Sequence, residues 1–400
     1  MVKSLCILGR QPALGLAELE SLYGADAVSD FSSHAAGLDV DASQVDFSRL
    51  GGSTRLASVI GELESTAWPM VEKALRASLL LVEKDLPREG KIKLGISVYG
   101  LDISPAKLTA AGLTLKKVLR GEGRSVRLVP NQTAELSSAQ VFHNSLTGEL
   151  GVELLIVAGK NSTIIARTTA VQDIDSYTLR DRGRPKRDAR VGMLPPKLAQ
   201  IIINLAVGPK AFSDNEIHIL DPFCGTGVVL QEALLMGYFV HGSDIEQRMI
   251  DYTLHNLEWL QKTYQPDGTI LSIRQGDATS FKWIEANYVL DAVACETYLG
   301  RPFTATPNHQ VLEQTVSDVN LILKKFLTNI HGQLPPGARL CLAVPAWQIA
   351  PGKFRHLPLI DSLADLGYER VQFAHVKNED LLYYREDQIV ARELLVLKAI

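Results

Sequence analysis

Acids stand at the ends of successive apolar runs in the second half of the sequence, each followed by a residue pattern that favours a turn. Asp221 closes Ile217-His218-Ile219-Leu220 and leads into Pro222-Phe223-Cys224-Gly225-Thr226-Gly227. Asp244 ends the next run in His241-Gly242-Ser243-Asp244, and Asp277 follows in Gln275-Gly276-Asp277-Ala278. Glycines in such a turn let a ligand approach the backbone closely, in the crevice beyond the carboxyl ends of the strands. An acid one βαβ half-unit after the glycine turn, here Asp244, stands where ribose hydroxyls need an acceptor. Asp277 suits an adenine amino group.

A dinucleotide is one ligand for that crevice, but the third glycine of Gly-x-Gly-x-x-Gly is absent, since Leu230 stands three positions after Gly227. Asp221 would also oppose a pyrophosphate. A cation prefers that acid, and the sulfonium and amino groups of S-adenosylmethionine suit it better. A structural turn with incidental acids remains open at this point.

Positioning these acids requires strands that alternate with helices. Strands are expected at Ile217 to Leu220, Tyr238 to Gly242, Ile270 to Ile273, Val289 to Cys295, Arg339 to Val344, Arg370 to His375 and Arg392 to Leu397. Helices between them, such as Val228 to Met236 and Val311 to Ile330, make a doubly wound α/β sheet whose final strand pair forms an antiparallel edge. Before this region, Arg180 to Arg190 carries six basic and two acidic residues, a local net of +4, with glycine and proline that disfavour a regular helix. It marks a domain boundary, and its arginines suit phosphate; a solvated linker is the plainer reading. Pro195-Pro196 then starts a helix through Ile201, Ile202 and Leu205. The first 70 residues read as a small α/β unit with a strand at Ser4 to Leu8 and a helix bearing Leu16, Leu19 and Leu22. A second unit carries strands at Ile92 to Tyr99, Ser125 to Val129, Leu154 to Val157 and Ser162 to Arg167. Its basic residues Lys116, Lys117, Arg120, Arg124 and Arg127 form another cluster.

Composition bounds the alternatives. The 400 residues are 46% hydrophobic and 22% charged, with a formal charge of −4, so any RNA contact comes from local patches rather than a uniformly basic surface. Apolar runs stop short of the ~20 residues that span a bilayer, no membrane is expected as a partner, and a secretory leader is not expected at the amino terminus, which reads as cytoplasmic. Cys6, Cys224, Cys295 and Cys341 are isolated singletons without metal or disulfide spacing, and no metal site is expected.

The run Asp221 to Gly227 resembles the cofactor motif of RNA and DNA amino-methyltransferases. Arg184-Pro185-Lys186-Arg187, Gly192-Met193-Leu194-Pro195-Pro196-Lys197-Leu198-Ala199 and Asn204-Leu205-Ala206 resemble the segment before that motif in THUMP-containing tRNA guanine-N2 methyltransferases. Tyr384 to Glu393 is similar to the ending of that family, and residues 1 to 176, beginning with Ile7-Leu8-Gly9-Arg10-Gln11-Pro12, are similar to its amino-terminal modules. The resemblance implies a ferredoxin-like α/β domain at 1–70, a THUMP-like RNA-binding domain at 71–176, and a Rossmann-like class I methyltransferase domain at 177–400. It implies tRNA as substrate and S-adenosylmethionine as cofactor, held by Asp221, Phe223, Gly225, Gly227, Asp244 and Asp277. It leaves the need for an activating partner protein open. Arg182, Arg184, Lys186 and Arg187 are expected to contact tRNA phosphates.

The pattern breaks after the fourth strand of this domain. Amino-methyltransferases of this kind carry Asp/Asn-Pro-Pro-Tyr/Phe there, whose oxygens accept the amine hydrogens while the aromatic ring stacks on the base. Here the stretch is Cys295-Glu296-Thr297-Tyr298-Leu299-Gly300-Arg301. Glu296 takes the place of the acid, and Tyr298 offers a ring one position early. Both chemical types are retained, so Glu296 and Tyr298 are the expected catalytic residues. A non-catalytic RNA-binding protein with a relict cofactor site, a different acceptor atom, and a methyltransferase acting on DNA or protein are the competing readings.

Overall fold

A computed structural model describes residues 1–400 apart from 189–192, 214–215, 285–288, 304–306 and 387. Ala189 and Arg190 of the basic segment, Gly192 of the run before the helix, and Asp387 of the carboxy-terminal stretch therefore lie outside the described residues. Backbone packing divides the chain into two units. The first comprises Met1–Leu16, Ala25–Ser48 and Gly52–Ser176, and the second Ala17–Gly24, Arg49–Gly51 and Tyr177–Ile400.

The first unit is built on eight strands: β1 (Ser4–Leu8), β2 (Val28–Ser32), β3 (Ala35–Leu38), β4 (Ser53–Leu63), β5 (Lys91–Tyr99), β6 (Ser125–Leu128), β7 (Gly151–Ala158) and β8 (Thr163–Val171). Helices α1 (Pro12–Tyr23), which belongs to this unit up to Leu16 and to the second unit from Ala17, α2 (Trp68–Lys84), α3 (Pro105–Gly121) and α4 (Ser138–His143) connect them. They form one sheet in the order β2-β3-β1-β4-β8-β7-β5-β6, so strands from both sides of residue 70 share it without a break. All eight residues of β7 are buried, because both faces of the sheet are covered there. Val152, Leu154 and Ile156 pack with Leu75 and Leu79 of α2 and Leu115 of α3, while Leu155 and Val157 join Leu5 and Ile7 of β1. The basic cluster of this unit is smaller than its sequence suggests. Arg124 is buried and bonded to Glu83 at 2.6 Å, which leaves Lys117, Arg120 and Arg127 exposed.

The second unit contains α5 (Ile174–Thr178) from Tyr177 onward, then α6 (Pro196–Val207), β9 (His218–Asp221), α7 (Val228–Leu235), β10 (Phe239–Asp244), α8 (Gln247–Tyr264), β11 (Thr269–Gln275), β12 (Ala292–Glu296), α9 (His309–His331), β13 (Arg339–Ala350), β14 (Lys353–Arg355), β15 (Tyr368–Arg370), β16 (Leu382–Tyr383) and β17 (Val390–Ala399). The main path of its sheet runs β11-β10-β9-β12-β13-β17-β15. From β11 to β13 neighbours are parallel, and β17 is antiparallel to both β13 and β15. The expected doubly wound sheet with an antiparallel end is therefore present. One expected strand is short: Arg370 to His375 keeps regular structure only as far as Arg370. Beyond Val371 the chain leaves β17, and the amides of Ala374 and His375 donate instead to the Glu20 carboxylate, at 2.5 and 3.0 Å.

Helix α9 shows why this sheet is two-sided. Its buried residues Val316, Val319, Leu323, Phe326, Leu327 and Ile330 recur at intervals of three and four, giving one apolar stripe. The stripe packs on Leu220, Val293, Cys295, Leu342 and Leu395 of the sheet. The opposite face is covered by other helices. A side chain at Gly242 would meet Leu230 of α7, and α6 packs against β12 and β13.

Candidate functional site

Strand register assembles the site. Side chains alternate between the two faces of a sheet, and directly paired residues share a face. Asp221 pairs with Gly242, two residues before Asp244, while Ile219 pairs with Ala292, four before Glu296. Glu296 pairs with Ala343, and Pro345, two residues on, pairs with Arg392. Asp221, Asp244, Glu296 and Arg392 thus occupy one face, opposite the α9 stripe. The three acids stand at the carboxyl ends of the parallel strands β9, β10 and β12, where doubly wound sheets bind ligands.

The turn after β9 is held from several sides. Gly225 and Gly227 have φ of 51° and 81°, left-handed values that favour glycine. A side chain at Gly227 would meet Thr253 at 2.9 Å, whereas one at Gly225 would point into open space, its nearest neighbour being the Phe223 carbonyl at 3.9 Å. Gly227 therefore serves packing, and Gly225 leaves room beside the backbone. Thr253 Oγ1 donates to the Gly225 carbonyl at 2.8 Å, and Asn256 Nδ2 donates to that of Thr226 at 2.8 Å. Both are fully buried residues of α8, one turn apart, and were not expected from the sequence; their polarity reads there as part of a solvated helix face. Phe223 is turned away from the crevice. Its ring packs edge-on against Phe326 at 5.1 Å, and its amide donates to Asp221 Oδ1 at 3.2 Å.

The acids differ in what they have left to offer. Asp221 is 1% exposed, and burial pushes its carboxyl well above the ordinary carboxylate range; the neighbouring charges of Asp244 and Glu296 push the same way. Asp244 Oδ2 accepts from the Gly225 amide and Oδ1 from the Glu246 amide, each at 3.0 Å, and burial raises its pKa. An ionised carboxylate has about four acceptor positions, so its bonds from backbone amides, which include one from Ile245, do not exhaust its capacity for hydroxyl donors. Beside it Ile245 is 63% exposed. Asp277 is less committed to a ligand than its sequence context suggests: Oδ1 accepts from the amide and hydroxyl of Thr279 at 2.9 and 2.8 Å, capping the turn that follows β11.

After β12, Thr297 is buried and donates its amide to the Ala343 carbonyl at 3.0 Å. Gly300, at φ 85°, turns the chain close to Thr315. Between these anchors Tyr298 is 45% exposed and Leu299 half-buried. Glu296 has an ion-pair partner, for its Oε1 accepts from Nε of Arg392.

The basic segment departs from expectation at two arginines. Arg182 and Arg187 are exposed and Lys186 is half-buried, but Arg184 is only 3% exposed, so its guanidinium is not presented to a nucleic acid. Arg180, at the start of the segment, is also buried, paired with Glu232 at 2.7 Å. The segment is tied to α8: Asn256 exchanges hydrogen bonds with the Lys186 backbone at 2.9 Å each way, and Arg248 pairs with Asp188 at 3.0 Å.

The sheet order and the strand-end acids define a Rossmann-like class I methyltransferase fold. TrmN from Thermus thermophilus shares it, with a TM-score of 0.51 over 100% of both chains at 16% identity. No family profile matches the chain. A tRNA (guanine(10)-N2)-dimethyltransferase from Methanothermobacter thermautotrophicus is 32% identical over 155 residues, 38% of this chain and 39% of that relative. The chain thus matches about two fifths of that relative's length. A protein of Methanothermococcus thermolithotrophicus named "probable tRNA (guanine(10)-N2)-dimethyltransferase" is 35% identical over 133 residues, 32% of this chain and 74% of that relative. The chain belongs to the tRNA (guanine(10)-N2)-dimethyltransferase family.

Proposed function

We propose that the chain is an S-adenosylmethionine-dependent methyltransferase acting on the exocyclic N2 amine of a guanine in tRNA. The observation that carries this reading is the buried carboxyl of Asp221 beside the open space at Gly225. A buried acid whose charged neighbours Asp244 and Glu296 are also negative is strained when ionised and is relieved by a cationic ligand. When bound, S-adenosylmethionine supplies a methyl group on a positively charged sulfur. Asp221 and the glycine turn hold that end, the free acceptor positions of Asp244 take the ribose hydroxyls, and Ile245 offers an apolar surface to the base. Asp277 retains Oδ2 for an amino group.

On the acceptor side Glu296 accepts an amine hydrogen and turns the nitrogen lone pair towards the methyl group, while Tyr298 stacks on the extruded guanine. The proton lost from nitrogen passes to the carboxylate or to water. Transfer is a direct displacement, so the chain contributes orientation rather than a covalent nucleophile. Within the first unit, residues 1–70 serve as the ferredoxin-like module and residues 71–176 as the THUMP-like module that engages tRNA, in the cytoplasm.

The test is incubation with tritiated S-adenosylmethionine and unmodified tRNA, followed by mass analysis of the labelled nucleoside. N2-methylated guanosine is the expected product. Cofactor binding without label in RNA would favour a relict site, and label in DNA or protein would change the substrate class.

A further inference from the structure

The carboxylate on which this reading rests is held by a residue that lies outside the acceptor loop. Arg392 lies near the start of β17, separated from β12 by β13, and its guanidinium reaches diagonally across β13 to Glu296. Both side chains are largely withdrawn from solvent, at 8% and 15% exposure. Among the described residues Oε1 of Glu296 accepts this bond and Oε2 accepts none. Glutamate is one methylene longer than aspartate and has one more rotatable bond, and the charge of Glu296 bears on the buried Asp221 carboxyl. Left alone, the longer side chain would be free to swing away from that acid. A planar guanidinium opposes that motion through its charge and fixes the carboxylate by a directed N–H bond, which a point charge does less well.

We propose that Arg392 is a positioning residue for methyl transfer: it clamps Oε1 of Glu296 so that Oε2 is presented to the acceptor amine. This role rests on the assignment of Glu296 as the amine acceptor. The longer acid at this position and the arginine on β17 then form one device, in which the arginine restores the rigidity that a shorter acid followed by two prolines would have had.

The experiment is a double-mutant cycle measured as kcat and KM on tRNA, with cofactor affinity and thermal unfolding recorded for every variant. Arg392→Met should lower kcat about 10- to 100-fold, the cost of misplacing a reacting group by roughly 1 Å, with cofactor affinity unchanged. Arg392→Lys, which keeps the charge and most of the packing, should fall between parent and Arg392→Met, and it decides the matter if Arg392→Met does not fold. In a Glu296→Gln background Arg392→Met should cause no further loss, because its effect runs through the carboxylate. Losses that multiply in the double variant, or parent-like kcat in both Arg392 variants, would overturn the role of Arg392 alone. A parent that binds cofactor but transfers no methyl group would overturn the transfer reading itself, and this role with it.

Discussion

The cofactor side and the acceptor side of this sheet are built by different means. On the cofactor side, position is set by backbone: two left-handed glycines, amides that bond directly to the Asp244 carboxylate, and carbonyls clasped by Thr253 and Asn256. On the acceptor side it is set by side chains, with Glu296 tied to Arg392 and the loop pinned only at Thr297 and Gly300. Backbone geometry tolerates little change of residue type, whereas a side-chain clamp can be rebuilt with other residues. This accounts for a glycine turn that follows the family pattern in the same sheet as a loop that departs from it.

The largest effect should come from breaking the acceptor side. An ionised carboxylate only accepts hydrogen bonds, whereas an amide can turn an NH₂ towards the amine. Glu296→Gln should therefore reduce turnover on tRNA about 100-fold or more, with calorimetric cofactor affinity unchanged. Full turnover would move the acceptor elsewhere. The converse variant probes the cofactor side. Asp244→Ala leaves ribose hydroxyls unpaired in a desolvated site at a cost of about 1 to 3 kcal/mol, and it also releases the Gly225 amide. Calorimetry should show that loss, and unchanged affinity in a folded variant would remove Asp244 from the site.

Much of this was legible in the sequence because it is local. An acid, a proline and two glycines within seven positions define the turn at 221–227, and apolar runs place Asp244 and Glu296 at strand ends. What escaped depends on register or long-range packing. Glu296 and Arg392 are 96 positions apart and meet only because β13 lies between their strands. Arg184 and Arg180 read as members of an exposed basic run, yet both are buried, and the partner of Arg180 is Glu232, 52 positions away. Asp277 carries the right residue type, but a neighbouring threonine claims one of its oxygens.

Tyr298 offers a sharper test of the acceptor loop. Its exposed ring can stack on a base, worth about 1 to 3 kcal/mol. Tyr298→Ala should weaken RNA affinity and turnover together, and Tyr298→Phe should change little, since the stacking face is kept. If the two variants lose equally, the hydroxyl rather than the ring carries the effect.

The basic segment should respond unevenly. Replacing Arg182, Lys186 and Arg187 by alanine should flatten the slope of log affinity against log salt, by roughly 0.7 to 0.9 for each phosphate no longer neutralised. Cofactor affinity should stay unchanged. Arg184→Ala should instead lower the unfolding temperature and leave the slope alone, because its guanidinium is buried. Equal slopes in the parent and the triple variant would reduce the segment to a linker.

The smallest effect concerns the other face of β17. Glu393 follows Arg392 and so points to the opposite side, where its buried carboxylate bonds to Arg370 at 3.1 Å and to His356 Nδ1 at 2.6 Å. The hydrogen bond to Glu393 raises the pKa of His356 above its ordinary 6.5, against the opposing effect of burial. A histidine whose folded-state pKa is raised stabilises the fold fully below its unfolded value, and that contribution is lost as pH rises through the raised one. Thermal unfolding of the parent should therefore fall more steeply than that of His356→Gln as pH rises from below 6.5 through the raised value. The imidazole is half-exposed, so solvent screening keeps the difference small. Its value lies in the separation of the two faces. The Glu296–Arg392 pair lies on the other face of the sheet, so it should be indifferent to the charge on His356, and turnover should follow the same pH profile in parent and variant. A flat difference in unfolding temperature would deny the histidine its charged partner. A turnover profile that shifts with His356→Gln would mean that the clamp on Glu296 is not independent of the ion cluster behind it.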